Sequence, residues 1–203
     1  MNQKTAIKQL NAIKKYSSKM RLAAEKWKTP WQILIAIILS ARTRDEKTIF
    51  IAKKLFEKYS SPKKLANAPL KSIEEMIKPV NFYRNKSKSI IKCSKEIIER
   101  HNGKVPKKEK DLLNLSGVGR KTMNVFLSKK GKPAIGVDTH VSFISQKLGW
   151  TKNKSPVKIE EDLKKLFSKT YWSKINQALV RFGKTHTSRK KKNEILEKIK
   201  RIK

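Results

Sequence analysis

Leu115-Ser116-Gly117-Val118-Gly119-Arg120-Lys121-Thr122 places a glycine on either side of one apolar residue and follows them at once with a basic, helix-prone segment. Glycine at 117 and 119 permits a tight hairpin and a close backbone approach to another surface. Val118 between them points inward and pins the turn. The amides that open the next helix then face outward, with the positive end of the helix dipole behind them. That is a ready place for a phosphate. The pattern predicts a helix-hairpin-helix motif at about 108–130, its first helix over 108–114 and its second over 120–130. A plain turn between two surface helices is the competing explanation for such a glycine pair taken alone.

Working outward, Lys121 lies one residue into the second helix. The dipole there and the cations Arg120 and Lys130 disfavour an ammonium, so a free and nucleophilic amine becomes more accessible near neutral pH. A nearby carboxylate is the second requirement, and Val137-Asp138-Thr139-His140 supplies one. The helix from 121 to 130 rises roughly 14 Å at 1.5 Å per residue. The extended link over 131–137 spans up to about 23 Å, long enough to return Asp138 to the neighbourhood of Lys121. An ordinary phosphate-contacting lysine and an ordinary N-cap remain the plainer explanations of each residue by itself.

The charge balance points the same way. The 203 residues hold 51 Lys plus Arg against 16 Asp plus Glu, a formal charge of +35, spread along the whole chain. A polyanion partner follows, with strong sequence-independent attraction to a phosphate backbone. Cys93 is the only cysteine, which excludes an internal disulfide and a cysteine-held metal cluster. The N-terminal residues are lysine-rich without an apolar stretch, so no secretory signal is expected. The longest apolar run, Ile33 to Leu39, is too short to span a bilayer. A cytoplasmic, nucleoid-associated monomer with no membrane partner is the expectation.

Helices are expected throughout and the class is all-α. An amphipathic helix covers 2–16, and Thr29-Pro30 opens a helix over 31–41 whose Ile and Leu run is buried all round. Asp45 is expected to cap the next helix. Short helices follow over 62–67 and 70–77, then a long one over 85–101 with Gly103 as its stop. Asp138 caps a helix reaching Leu148, and further helices are expected near 156–168, 173–183 and beyond Ser188.

The hairpin octet and Val137-Asp138-Thr139-His140 together resemble the endonuclease III family of the helix-hairpin-helix DNA glycosylase superfamily. The resemblance runs on through Leu39-Ser40-Ala41-Arg42-Thr43-Arg44-Asp45, Phe82-Tyr83-Arg84-Asn85-Lys86, His101-Asn102-Gly103-Lys104-Val105-Pro106 and Leu179-Val180-Arg181-Phe182-Gly183-Lys184, nearly the whole chain. The Arg42-to-Asp45 wording is most similar to archaeal members.

The resemblance implies two helical domains with a cleft between them: 22–132, six helices ending in the hairpin, and 1–21 plus 133–203. It implies a bifunctional DNA glycosylase/AP lyase of base excision repair that removes oxidised pyrimidines from double-stranded DNA carrying a damaged base or abasic site. Lys121 would form the Schiff base and Asp138 would stabilise the positive charge growing on the sugar; β-elimination would then nick the strand. Arg42, where the family usually has glutamine, and Phe82 would fill the gap left by the extruded nucleotide. Gly117, Val118, Gly119, Arg120 and Thr122 would contact DNA, and Ser40, Asp45 and His140 would support the pocket, His140 in a mainly structural role. The alternatives are a glycosylase for mismatched thymine or 8-oxoguanine and a non-catalytic nucleic-acid-binding hairpin protein.

The chain departs from the family pattern in three places. The four cysteines that hold a 4Fe-4S iron-sulfur cluster in many members have no counterpart in Gly183 to Lys191, so no cluster and no other cofactor is expected. Packing of Ile195, Leu196 and Ile199 must take over as the staple. Ser116 stands for the usual hairpin proline, and Asn81 for a common glycine. Related hairpins hold a monovalent cation on backbone carbonyls, here those of Leu113, Leu115 and Val118.

Overall fold

The computed structural model describes residues 1–203 and is built of twelve α-helices and one short 3-10 turn, Ala23–Glu25, without strands. Two compact units divide the chain: 21–126, and 1–20 together with 127–203.

The 21–126 unit is organised around α2 (Pro30–Ser40). Thr29 caps it by accepting a hydrogen bond from the Gln32 amide, and Pro30 occupies the first helical position, where its missing N–H costs nothing. Every residue from Ile33 to Leu39 is buried. A helix apolar on all sides needs neighbours on all sides, and α2 has them in the 3-10 turn, α3 (Asp45–Lys58) and α6 (Tyr83–His101). Ile51, Leu55 and Phe56 come from α3 and Ile90, Cys93 and Ile97 from α6. The short helices α4 (Pro62–Ala66) and α5 (Leu70–Ile77) lie against α6. Burial of each such Ile or Leu contributes about 2 kcal/mol. Trp31 brings a polar atom into this core and donates its indole N–H to Ser94 Oγ at 3.2 Å.

In the other unit α1 (Gln3–Lys15), α9 (Thr139–Lys147), α10 (Pro156–Leu166), α11 (Lys169–Thr185) and α12 (Arg189–Lys200) enclose a second core. Leu10 and Ile13 of α1 meet Leu179 and Phe182 of α11 and Leu196 and Ile199 of α12 there.

Three expectations are corrected. Arg44, not Asp45, is the N-cap of α3, and no side chain caps it. Asp45 is instead the first helical residue; its carboxylate is turned inward and accepts from the Ala23 amide at 3.2 Å, fastening the 3-10 turn. The long helix α6 begins at Tyr83 rather than 85 because Phe82, at φ 60, supplies a left-handed entry. It ends on a left-handed Asn102 as well as on Gly103. Finally, α11 starts four residues before the expected 173, since Tyr171 and Trp172 extend its inner face against Phe167.

Candidate active site and nucleic-acid interface

The hairpin is formed by α7 (Glu109–Leu113) and α8 (Arg120–Lys129). Gly117 adopts φ 79, and a Cβ built there would sit 3.0 Å from Ser89 Cβ and 3.4 Å from Ile38 Cγ2. Glycine is therefore required both for the left-handed backbone and for close seating on α2 and α6. Gly119 has open space around its Cα, so its missing side chain leaves room for something outside the fold. Val118 is buried as expected, with its amide bonded to Leu115 O at 3.0 Å.

The hairpin has a latch that sequence reasoning missed. Glu96 of α6 is buried, and its carboxylate accepts from both the Ser116 amide, at 2.7 Å, and the Ser116 hydroxyl, at 3.0 Å. Two charge-assisted bonds take the place of proline stiffness. Cys93, one turn earlier on α6, is fully buried; burial, and then the Glu96 charge, push its thiol up to about 12. Nothing in the sequence pairs Glu96 with Ser116, because glutamate on a charged helix ordinarily faces water.

Lys121 occupies the second position of α8, half-buried, between an exposed Arg120 and a half-buried Thr122. Asp138 heads α9: its carboxylate accepts from the Val141 amide at 3.0 Å. The approach to Asp138 is held firmly. Ile135 and Val137 are buried, and the buried Asn176 of α11 donates to Gly136 O at 2.7 Å. One oxygen of Asp138 is thus committed to orienting the carboxylate at the positive end of a helix. His140 lies directly on Gly183 of α11, where an added Cβ would come within 2.2 Å of its Nδ1. That glycine, in the last turn of α11, is explained by the ring it admits.

A second group forms in the 21–126 unit, which also holds Lys121. Arg42 (φ 56) and Phe82 (φ 60) both have left-handed backbones and exposed side chains, and the Arg42 guanidinium lies 5.4 Å from the Phe82 ring centroid. Ser40 donates to Ile37 O at 2.8 Å and closes the end of α2 just before this loop. The structure therefore brings Arg42 and Phe82 together, with Ser40 two residues before Arg42 in the chain.

The region where the family's cluster cysteines would fall does not fit an iron-sulfur cluster. Its side chains make other bonds: Thr185 Oγ1 lies 3.0 Å from Ser18 Oγ, and His186 Nε2 lies 2.8 Å from Tyr16 O. The lone thiol is sealed inside the other unit. To the apolar packing of α1 on α12, Gln9, fully buried, adds a polar tie: its amide nitrogen donates to Lys200 O at 3.3 Å while its oxygen accepts from Trp150 Nε1 at 2.7 Å.

A glycine-seated hairpin, a lysine at the head of the helix behind it and a helix-capping aspartate define a class: residues 35–169 match the HhH-GPD superfamily of base excision DNA repair proteins. Among curated relatives, the chain is 45% identical over 156 residues to an endonuclease III of Thermotoga maritima, covering 76% of this chain and 73% of that one. It is 41% identical over 159 residues to that of Bacillus subtilis, covering 77% and 73%. The chain belongs to the endonuclease III family of that superfamily. A solved non-covalent endonuclease III–DNA complex superimposes with a TM-score of 0.85 at 34% identity, covering 93% of this chain and 89% of that one. A trapped endonuclease III–DNA covalent intermediate gives 0.84 at the same identity and coverage. A thermostable thymine-DNA glycosylase, at 22% identity and a TM-score of 0.64, shares the fold.

Proposed function

We propose that this protein is a bifunctional DNA glycosylase/AP lyase that removes oxidised pyrimidines and nicks the strand at the resulting site. The observation that carries this is Lys121 at the head of α8, directly behind a glycine-seated hairpin, in a chain 45% identical to an endonuclease III.

The chemistry assigns each group a task. The hairpin amides and Arg120 take backbone phosphates and fix the register of the duplex. The target nucleotide turns out of the stack, and Phe82 and Arg42 enter the space it leaves. The neutral Lys121 amine attacks C1′, the C1′–N bond breaks and the base departs with its electron pair and a proton. Asp138 faces the positive charge that develops on the sugar. Opening of the ring gives a Schiff base on Lys121, loss of a C2′ proton follows, and the 3′ phosphate leaves by β-elimination. A monovalent cation at the carbonyls of Leu113, Leu115 and Val118 belongs to this proposal. So do the absence of an iron-sulfur cluster, a monomeric state and a cytoplasmic site of action on the nucleoid. No helix is long and apolar enough to cross a membrane.

Borohydride trapping is the test. On duplexes carrying an oxidised pyrimidine or an abasic site, the wild type yields a covalent adduct. Lys121→Ala abolishes it, and replacement of the exposed Lys152 by alanine retains it. Excision without strand cleavage, or an adduct that survives Lys121→Ala, refutes the lyase assignment. The same panel with mismatched thymine and 8-oxoguanine decides the lesion class. Affinity should also fall steeply, by about a thousandfold or more between roughly 50 and 200 mM salt, if several phosphates are contacted.

A further inference from the structure

Lys86, in the first turn of α6, is only 8% exposed although it is one of 51 cations in the chain. Its ammonium donates to Leu39 O at 2.8 Å, to Ala41 O at 2.5 Å and to Thr43 Oγ1 at 3.3 Å. Three donors meet three acceptors, which uses the full capacity of the group. No carboxylate is among these partners, so desolvation is offset by backbone and hydroxyl dipoles alone. Burial pushes the ammonium down to about 8, which leaves it mostly protonated at pH 7. An apolar side chain would fill this place without that desolvation. The cation is explained by what it holds.

What it holds is the turn over 40–43. Arg42 sits there at φ 56, a conformation that costs a non-glycine residue about 1 kcal/mol or more and persists only when its surroundings impose it. Asn81 adds a second fastening: its amide side chain donates to Arg42 O at 2.5 Å and its backbone N–H to Thr43 Oγ1 at 3.2 Å. Phe82 follows immediately, 56% exposed, with the Arg42 guanidinium over its ring. Two loops far apart in sequence are thus tied together underneath, and each presents one exposed side chain beside the other.

We infer that Lys86 is a positioning residue that keeps the Arg42–Phe82 couple preformed, so that the pair enters the duplex without a loop first having to be ordered. The role in DNA rests on the gap-filling task assigned to these two residues above; the clamp itself does not. Preorganisation of this kind shows in rate and affinity rather than in contacts to the substrate.

The clamp is tested first without DNA. Arg42 and Arg44 are exposed trypsin sites on the held loop. Lys86→Met and, as a second route, Asn81→Ala should each speed cleavage there by about tenfold, while Lys86→Arg restores part of the protection. Unchanged cleavage in both variants overturns the inference. The second measurement is single-turnover excision from a lesion duplex, set beside borohydride trapping on a single-stranded abasic oligonucleotide, which has no gap to fill. Lys86→Met should lose about 10- to 100-fold on the duplex and less than about threefold on the single strand, and adding Phe82→Ala should cost no more than Phe82→Ala alone. Equal losses on both substrates, or losses that multiply, overturn it. If Arg42→Ala and Phe82→Ala leave duplex excision intact, the gap-filling assignment falls and takes the role of Lys86 in DNA with it. If they impair excision and Lys86→Met does not, the positioning role falls while the gap-filling assignment stands.

Discussion

Ser116→Pro restores the residue the family commonly carries, yet here it should be harmful. Proline removes the Ser116 amide proton and hydroxyl together, and both are bound by the buried Glu96 carboxylate, at 2.7 and 3.0 Å. Hydrogen bonds to a charged acceptor contribute about 1.5–3 kcal/mol each, so losing both exposes a loss of about 3–6 kcal/mol before relaxation. A water beside the half-buried residue 116 recovers part of this; a net destabilisation of about 2–4 kcal/mol remains. Glu96→Leu alone leaves two Ser116 donors without a partner and should cost about 1–3 kcal/mol. The double variant strands nothing and should lie within about 2 kcal/mol of wild type, far from the sum of its parts. Urea unfolding at pH 7, followed by tryptophan fluorescence and far-UV circular dichroism, measures all four corners of the cycle, and coincidence of the two probes checks that each transition is two-state. Additivity within about 0.5 kcal/mol, or a Ser116→Pro variant that is neutral or more stable, would refute the latch.

Gln9→Leu should destabilise the chain by about 1–3 kcal/mol, measured as a shift in urea midpoint, because the buried Trp150 N–H loses its partner and the part-buried Lys200 carbonyl loses one as well. Gly183→Ala, whose Cβ would meet His140 Nδ1 at 2.2 Å, should displace α9 or the imidazole; about a tenfold or greater loss of single-turnover rate with smaller loss of DNA affinity is expected. Cys93, its thiol raised to about 12, should resist Ellman's reagent at pH 8 in the native state and react only in urea; rapid native labelling would contradict its burial. For Lys86 the sign is opposite to that of an ordinary ion pair. Its folded-state value of about 8 lies below the usual lysine value of about 10.4, so between these two the unfolded chain holds a proton that the folded chain has released. Its contribution to stability therefore rises as the pH climbs through that window and is flat below it. Relative to Lys86→Met, the wild type should gain about 1–3 kcal/mol between pH 7 and pH 10 in matched urea titrations.

Much of the fold was legible because its signals are local. Thr29-Pro30, the apolar run from Ile33 to Leu39 and the glycine at 117 each act on residues within a turn or two, and each behaves as read. Asp138 as a cap belongs with them. Asp45 misled for the same reason: a carboxylate at a helix start is ordinarily a cap, and only the fold shows it turned toward Ala23, 22 residues away. The residues that went unread act at longer range still. Lys86 reaches Leu39 across 47 positions, Asn176 reaches Gly136 across 40 and Gln9 reaches Lys200 across 191. A lysine in a chain with 51 basic residues carries no mark of burial until its neighbours are known.

The departures from the family pattern share one physical logic. Proline and a thiolate-held cluster stabilise locally and independently of the rest of the chain, one by restricting φ and the other by closing a loop on metal. Ser116 and the cysteine-free segment after Gly183 give up both devices. Near each of these places a buried polar side chain on a distant helix makes a tie, Glu96 to the hairpin and Gln9 to the end of α12. Such bonds are worth little net while both partners are present and a great deal when one is removed, because the survivor is left buried and unsatisfied. It follows that reinstating a single family residue here should be worse than leaving the departure alone, and that restored residues become tolerable only when the distant partner changes with them.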